Sequence, residues 1–163
     1  MSDRIHAFLA GHGRDGAGRR LADVLAFDDA RIEGVHDFIQ WCFPLPEASR
    51  VVPGAPVLTQ AEAEAIRADP AALDGLRAAT ARMARFYEAT DGWLRAYDHN
   101  HLRITRILTA LRDLIGRDAA RDFHEAVMRR VQAAGSPVNP DSLVFWQRAV
   151  ESADCARERI LSS

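Results

Sequence analysis

Residues 98–116 read Asp98-His99-Asn100-His101-Leu102-Arg103-Ile104-Thr105-Arg106-Ile107-Leu108-Thr109-Ala110-Leu111-Arg112-Asp113-Leu114-Ile115-Gly116, and this stretch decides the fold class. Ile104, Ile107, Leu108, Leu111, Leu114 and Ile115 recur three and four apart, which lines one face of an α-helix and no face of a strand. The apolar face is wide, so a helix over about 98–115 belongs in a core. Gly116 supplies a left-handed stop after it.

The same period continues outward in both directions. A helix follows Gly116 as far as Gly135, and Asn139-Pro140 opens a last one carrying Leu143, Phe145, Trp146 and Val150. Upstream, Thr59-Gln60-Ala61-Glu62 has the spacing of a capping box, in which Thr59 and Glu62 satisfy one another's backbone donors. Asp69-Pro70 restarts the helix with proline at its first position, and this pair runs to about Ala89. A short helix at about 2–10 ends at the glycine-rich stretch Gly11–Gly18, and a second covers about 18–27. Asp28 or Asp29 then caps a third, with Ile32, Val35, Ile39 and Phe43 on one face until Pro44. Pro44, Pro46, Pro53 and Pro56 make residues 44–58 an extended connector, because each proline removes a helical donor and restrains the residue before it. The expectation is an all-α, single-domain bundle over residues 1–163, with about six or seven helices and one Pro-rich connector.

Composition excludes several classes. With 163 residues the chain is about the length of one domain. A hydrophobic content of 48% excludes a disordered chain, and two cysteines exclude a disulfide scaffold. Every basic residue is arginine, and 21 of them against 23 acidic residues give a net charge of −2. That balance offers no global pull toward nucleic acid or anionic lipid. No apolar run approaches the ~18 residues of a membrane span, and the first residues lack a secretory pattern. Cys42 and Cys155, each within an apparent helix, read as reduced thiols of a cytoplasmic protein.

The candidate chemistry lies in two places. On a continuous third helix His36 and Gln40 fall together at the edge of the apolar stripe, with Glu33 one turn below. Glu33-x-x-His36 is the step by which helical bundles aim a carboxylate and an imidazole at one ion, although no second such step exists. Asp37 and Trp41 lie on the opposite side from Ile39, so that helix either packs on two sides or offers a surface. Around residue 100, His99, Arg103 and Arg106 share one face, Asn100 points into the apolar side and His101 lies beside Leu108. Asn100 and His101 either satisfy backbone carbonyls as structural glue or line a pocket with His36 and Gln40. Arg103 and Arg106 form either a solvated face or a clamp for a carboxylate or phosphate. The run Gly11-x-Gly13-x-x-Gly16-x-Gly18 follows no strand, so it is not a phosphate loop. Zinc spacing, a nucleophile elbow and a basic recognition helix are all missing from the sequence.

These residues also carry a resemblance. Gly18-Arg19-Arg20-Leu21, Glu33-Gly34-Val35-His36-Asp37-Phe38-Ile39-Gln40-Trp41-Cys42-Phe43-Pro44-Leu45-Pro46, Ala55-Pro56-Val57-Leu58-Thr59, Met83-Ala84-Arg85-Phe86-Tyr87 and His99–Leu108 occur in the order of the opioid growth factor receptor conserved region, which the chain resembles over about residues 5–130. It departs from the family pattern at Cys42, usually Leu, and at Asp98, commonly Asn. The family's animal members are described as nucleus-associated receptors for the opioid peptide Met-enkephalin that restrain proliferation. A compact, lysine-free member looks bacterial, where an opioid ligand makes little sense.

Three readings follow. The first is a peptide- or protein-binding module without cofactor, with His36, Asp37, Gln40, Trp41, His99, Asn100, His101, Arg103 and Arg106 as candidate binding residues. The second is an enzyme in which Glu33, His36, His99 and His101 hold a transition metal, or His36 acts as a general base held by Gln40 or Asn100. In the third, both motifs are a buried polar network that ties the connector to the bundle.

Overall fold

The computed structural model describes residues 3–151; among these every regular element is a helix, nine in all, and no strand forms. They are α1 (Arg4–Leu9), α2 (Leu21–Leu25), α3 (Asp29–Gly34), α4 (Ile39–Cys42), α5 (Gln60–Arg67), α6 (Pro70–Ala89), α7 (Asn100–Leu114), α8 (Arg117–Ala133) and α9 (Pro140–Glu151). Cys155 lies outside the described residues. The chain forms two compact units, Met1–Phe86 and Tyr87–Ser163, with the division inside α6. No helix among the described residues is long and apolar enough to cross a membrane.

In the first unit the caps fall where the side chains put them. Asp28 accepts the Arg31 N–H at 2.8 Å, and Thr59 Oγ1 accepts the Glu62 N–H at 3.1 Å. The Glu62 carboxylate is turned to α1, where it accepts the His6 N–H at 3.0 Å, and His6 Nε2 lies 2.7 Å from Asp69 Oδ2. One residue of α1 is thereby fastened to α5 and to the start of α6. The imidazole contact and the Ala71 N–H hold the Asp69 carboxyl below the usual carboxylate range. Gly75 permits the closest approach in this unit, because a Cβ there would run into the Leu9 carbonyl. The connector 44–58 carries no helix, and its ends meet where Leu58 N–H donates to the Leu45 carbonyl at 2.9 Å.

The third helix expected between Asp28 and Phe43 is two helices. α3 stops at Gly34, Val35 is extended at φ −100°, ψ 125°, and α4 begins only at Ile39. Glycine and a β-branched residue in succession weaken the helix locally, and tertiary ties take over. Arg19 Nη2 donates to Asp37 Oδ1 at 2.6 Å, and Phe38 packs edge-on against Phe27 with ring centroids 5.5 Å apart. The glycine-rich loop from which Arg19 extends is organised by Asp15. Its buried carboxylate accepts the N–H groups of Ala17 and Arg19 at 2.9 Å each and the Arg19 Nε–H at 2.7 Å. The nest of N–H groups that could have held a phosphate holds the loop's own side chain.

In the second unit α7 packs against both α8 and α9, burying Ile104, Ile107, Leu108 and Leu111 with Phe123, Val127 and Trp146. Each such aliphatic side chain contributes about 1.5–3 kcal/mol. Asn139 caps α9 by accepting the Ser142 N–H at 2.8 Å, and its amide donates to the Ala96 carbonyl at 2.6 Å. Gly116 does not form a left-handed turn. Its φ of 144° with ψ 171° is a conformation open to glycine alone, and it starts α8 in a new direction.

Candidate functional site

The break between α3 and α4 separates residues that a helical wheel places together. His36 lies in the interval between the two helices and is exposed, as is Asp37, while Gln40 and Trp41 lie on α4 and are buried. Glu33 is in the last turn of α3, so the step from Glu33 to His36 is not a helical one and the two side chains are not one turn apart on a helix. α4 is buried all round: Ile39, Gln40, Trp41 and Cys42 all face the interior. Trp41 lies edge-on to Phe8 at 5.7 Å between centroids, and the Arg4 guanidinium lies over the Trp41 ring, 5.1 Å from its centroid. The Gln40 Oε1 atom is sealed from solvent and accepts no hydrogen bond. Leaving such an atom unpaired costs about 1–3 kcal/mol.

Cys42 lines a small apolar cavity with Ile32, Phe38, Phe43 and Met83, with room for about one water molecule. Arg82 forms one wall, held by the Phe27 carbonyl at 2.9 Å and the Asp29 carboxylate at 2.8 Å. Burial pushes the Cys42 thiol up to about 12, with the Asp15 charge adding to the effect and Arg19 opposing it. The thiol stays protonated and is not a nucleophile.

The segment that opens α7 is organised differently. Asn100 is buried, as its position on the apolar side predicts, and its carboxamide is used at both ends. Oδ1 accepts the Tyr87 hydroxyl at 3.2 Å, and Nδ2 donates to Asp98 Oδ1 at 2.9 Å. Asp98 also accepts the Asn100 N–H at 2.9 Å and the Arg95 guanidinium at 2.8 Å. Burial opposes ionisation of Asp98, but the bonds from Asn100 and Arg95 outweigh it and hold the carboxyl below the usual range. His101 is buried too, its Nε2 2.8 Å from the Trp93 carbonyl and its ring edge-on to Trp146 at 5.7 Å. Trp146 Nε1 donates to the His101 carbonyl at 3.0 Å, and Trp93 Nε1 donates to the carbonyls of Tyr87 and Thr90 at 3.2 and 3.0 Å. Arg130 reaches the same two carbonyls from α8 and pairs with Asp91 at 2.7 Å.

His99, Arg103 and Arg106 do not form one solvated face. His99 is exposed, Arg103 is buried and Arg106 is half-buried, because α7 buries much more than half of its circumference. Sequence reasoning passed over Asp98, Tyr87, Trp93, Trp146 and Arg130 as members of this network. The available signal was that two buried tryptophans each need an acceptor.

These features define an all-helical module built on two polar-aromatic motifs, one entering α4 and one opening α7. The model of the opioid growth factor receptor conserved region matches residues 21–160, and the chain belongs to that family. No curated protein and no solved structure matches it. The matched range takes in α2 through α9 and leaves α1 outside, so it starts later and ends later than the motifs alone span.

Proposed function

We propose that the chain is a peptide- or protein-binding module. The supporting observation is the surface beside the α7 network: Tyr97, Leu102 and Phe145 are 78%, 67% and 55% exposed. Leu102 follows His101, and Phe145 precedes Trp146, the two residues joined by the Trp146–His101 hydrogen bond, while Tyr97 follows the Ala96 carbonyl held by Asn139. Large apolar side chains held outward by such a braced scaffold suit contact with a partner better than solvation. Engagement of the Asn100 carboxamide and of His101 Nε2 within the network supports a bracing role for them and favours binding over metal ligation by His101.

The test is selection from a displayed random-peptide library against the whole protein. Enriched sequences should lose binding to the double variant Leu102→Asp, Phe145→Asp, whose far-UV circular dichroism should stay that of the parent. Equal binding to parent and variant, or no enrichment over an unrelated helical protein, would sink the proposal.

A further inference from the structure

The outer side of α9 carries a stripe with an acidic end, an apolar middle and a basic end. Val144, Phe145 and Arg148 follow Asp141 by three, four and seven residues, so the four share one face of the helix. All are exposed, Val144 at 45% and Phe145 at 55%. The opposite face is spent on the core through Trp146, Ala149 and Val150. Exposed arginines on other helices pair with a carboxylate one turn away: Arg77 with Asp74 on α6, and Arg121 with Asp118 on α8. On the flank of α9 Gln147 and Glu151 bond one another at 3.2 Å. The Asp141 and Arg148 side chains make no hydrogen bond or ion pair among the described residues. They cannot meet each other, because two turns, about 10 Å of helix, lie between them.

We propose that this stripe is a self-complementary interface, on which a second copy of the chain lays its own α9 antiparallel. A two-fold axis passing between residues 144 and 145 sets Asp141 of each copy opposite Arg148 of the other, with Val144 and Phe145 of both copies packed between the two ion pairs. A parallel pairing in register would set Asp141 on Asp141 and Arg148 on Arg148, so the order of charges selects the antiparallel one. Opposed helix dipoles favour the same arrangement. Tyr97 and Leu102, 78% and 67% exposed, add apolar area next to this face: the Ala96 carbonyl accepts from Asn139, which caps α9, and the His101 carbonyl accepts from Trp146. The inference rests on the reading of this surface as a binding surface and names its partner. The stripe is only two turns long, so the dimer is a dynamic one that forms at high subunit concentration.

Sedimentation equilibrium of the full chain provides the test, at subunit concentrations up to about 1 mM and low salt. The parent should show a reversible monomer–dimer equilibrium. Phe145→Asp, beside the axis, should weaken it about tenfold or more. Asp141→Arg and Arg148→Asp each convert both ion pairs into like-charge pairs, and each alone should weaken self-association about tenfold or more. An equimolar mixture of these two charge variants should regain a dimer of parental strength, because one stripe is then wholly basic and the other wholly acidic. That recovery also shows that both variants are folded. A parent that stays monomeric at the highest concentration would overturn the proposal, and selection of peptides by that monomer would leave the binding surface itself standing. Dimerisation undiminished by Phe145→Asp, or no recovery in the mixture, would overturn the antiparallel α9 pairing.

Discussion

The two motifs are comparable in polarity and opposite in bookkeeping. At the opening of α7, Asn100, Asp98, Tyr87, Trp93, His101 and Trp146 each find partners within the network, so the polar groups brace a corner of the second unit. On α4, Gln40 Oε1 has no partner and the Trp41 N–H donates to no acceptor among the described residues, although both residues are buried. A closed network specifies structure; an unmatched donor or acceptor in a folded protein is where something else can be recognised. The string around Gln40 and Trp41 is thus the less completely satisfied of the two, and the histidine-rich string is the better place to look for stability.

Substitutions can break or sharpen this contrast. Asn100→Ala should be the most damaging, because it strands the Tyr87 hydroxyl and takes the side-chain donor from Asp98; a loss of about 3 kcal/mol in denaturant unfolding is expected. Trp93→Phe should cost about 2 kcal/mol, since it removes two N–H contacts from the end of α6. Trp41→Phe removes an N–H that has no acceptor among the described residues and should cost under about 1 kcal/mol. A loss as large as that of Trp93→Phe would erase the distinction between the motifs.

Acid provides a further test. The folded Asp98 carboxyl titrates below its ordinary range, so its stabilising contribution is complete above about pH 4 and disappears as the pH falls through the lower folded value. Thermal midpoints of the parent should therefore fall toward those of Asp98→Asn as the pH is lowered below about 4, while the variant shows a flatter profile there. The smallest effect belongs to Gln40→Leu. Removing an unpaired buried oxygen should leave stability unchanged or raise it by up to about 1 kcal/mol. A clear destabilisation would mean that the carboxamide is bonded in solution.

Local signals in the chain were legible wherever structure depends on neighbours in sequence. The caps at Asp28, Thr59 and Asn139 and the inward position of Asn100 all follow from spacing alone. Reading failed where distant residues decide. The wheel that joined His36 to Gln40 assumed one straight helix, and the pull of Arg19 on Asp37 and of Phe27 on Phe38 broke it. Arg103 was read as sharing a solvated or anion-clamping face, but burial around most of α7 takes it inside. Whether a tryptophan N–H finds an acceptor is likewise a tertiary fact: Trp93 and Trp146 meet backbone carbonyls, and Trp41 meets no acceptor among the described residues.

The Asp15 carboxylate in the glycine-rich loop has one further consequence. A group tethered two to four residues from its donors is present there at an effective concentration that no dissolved anion matches. The loop is in that sense self-inhibited: its N–H groups are reserved by an occupant that cannot diffuse away. Asp15→Gly would release the reservation, turning an inert turn into a vacant cradle open to sulfate or phosphate.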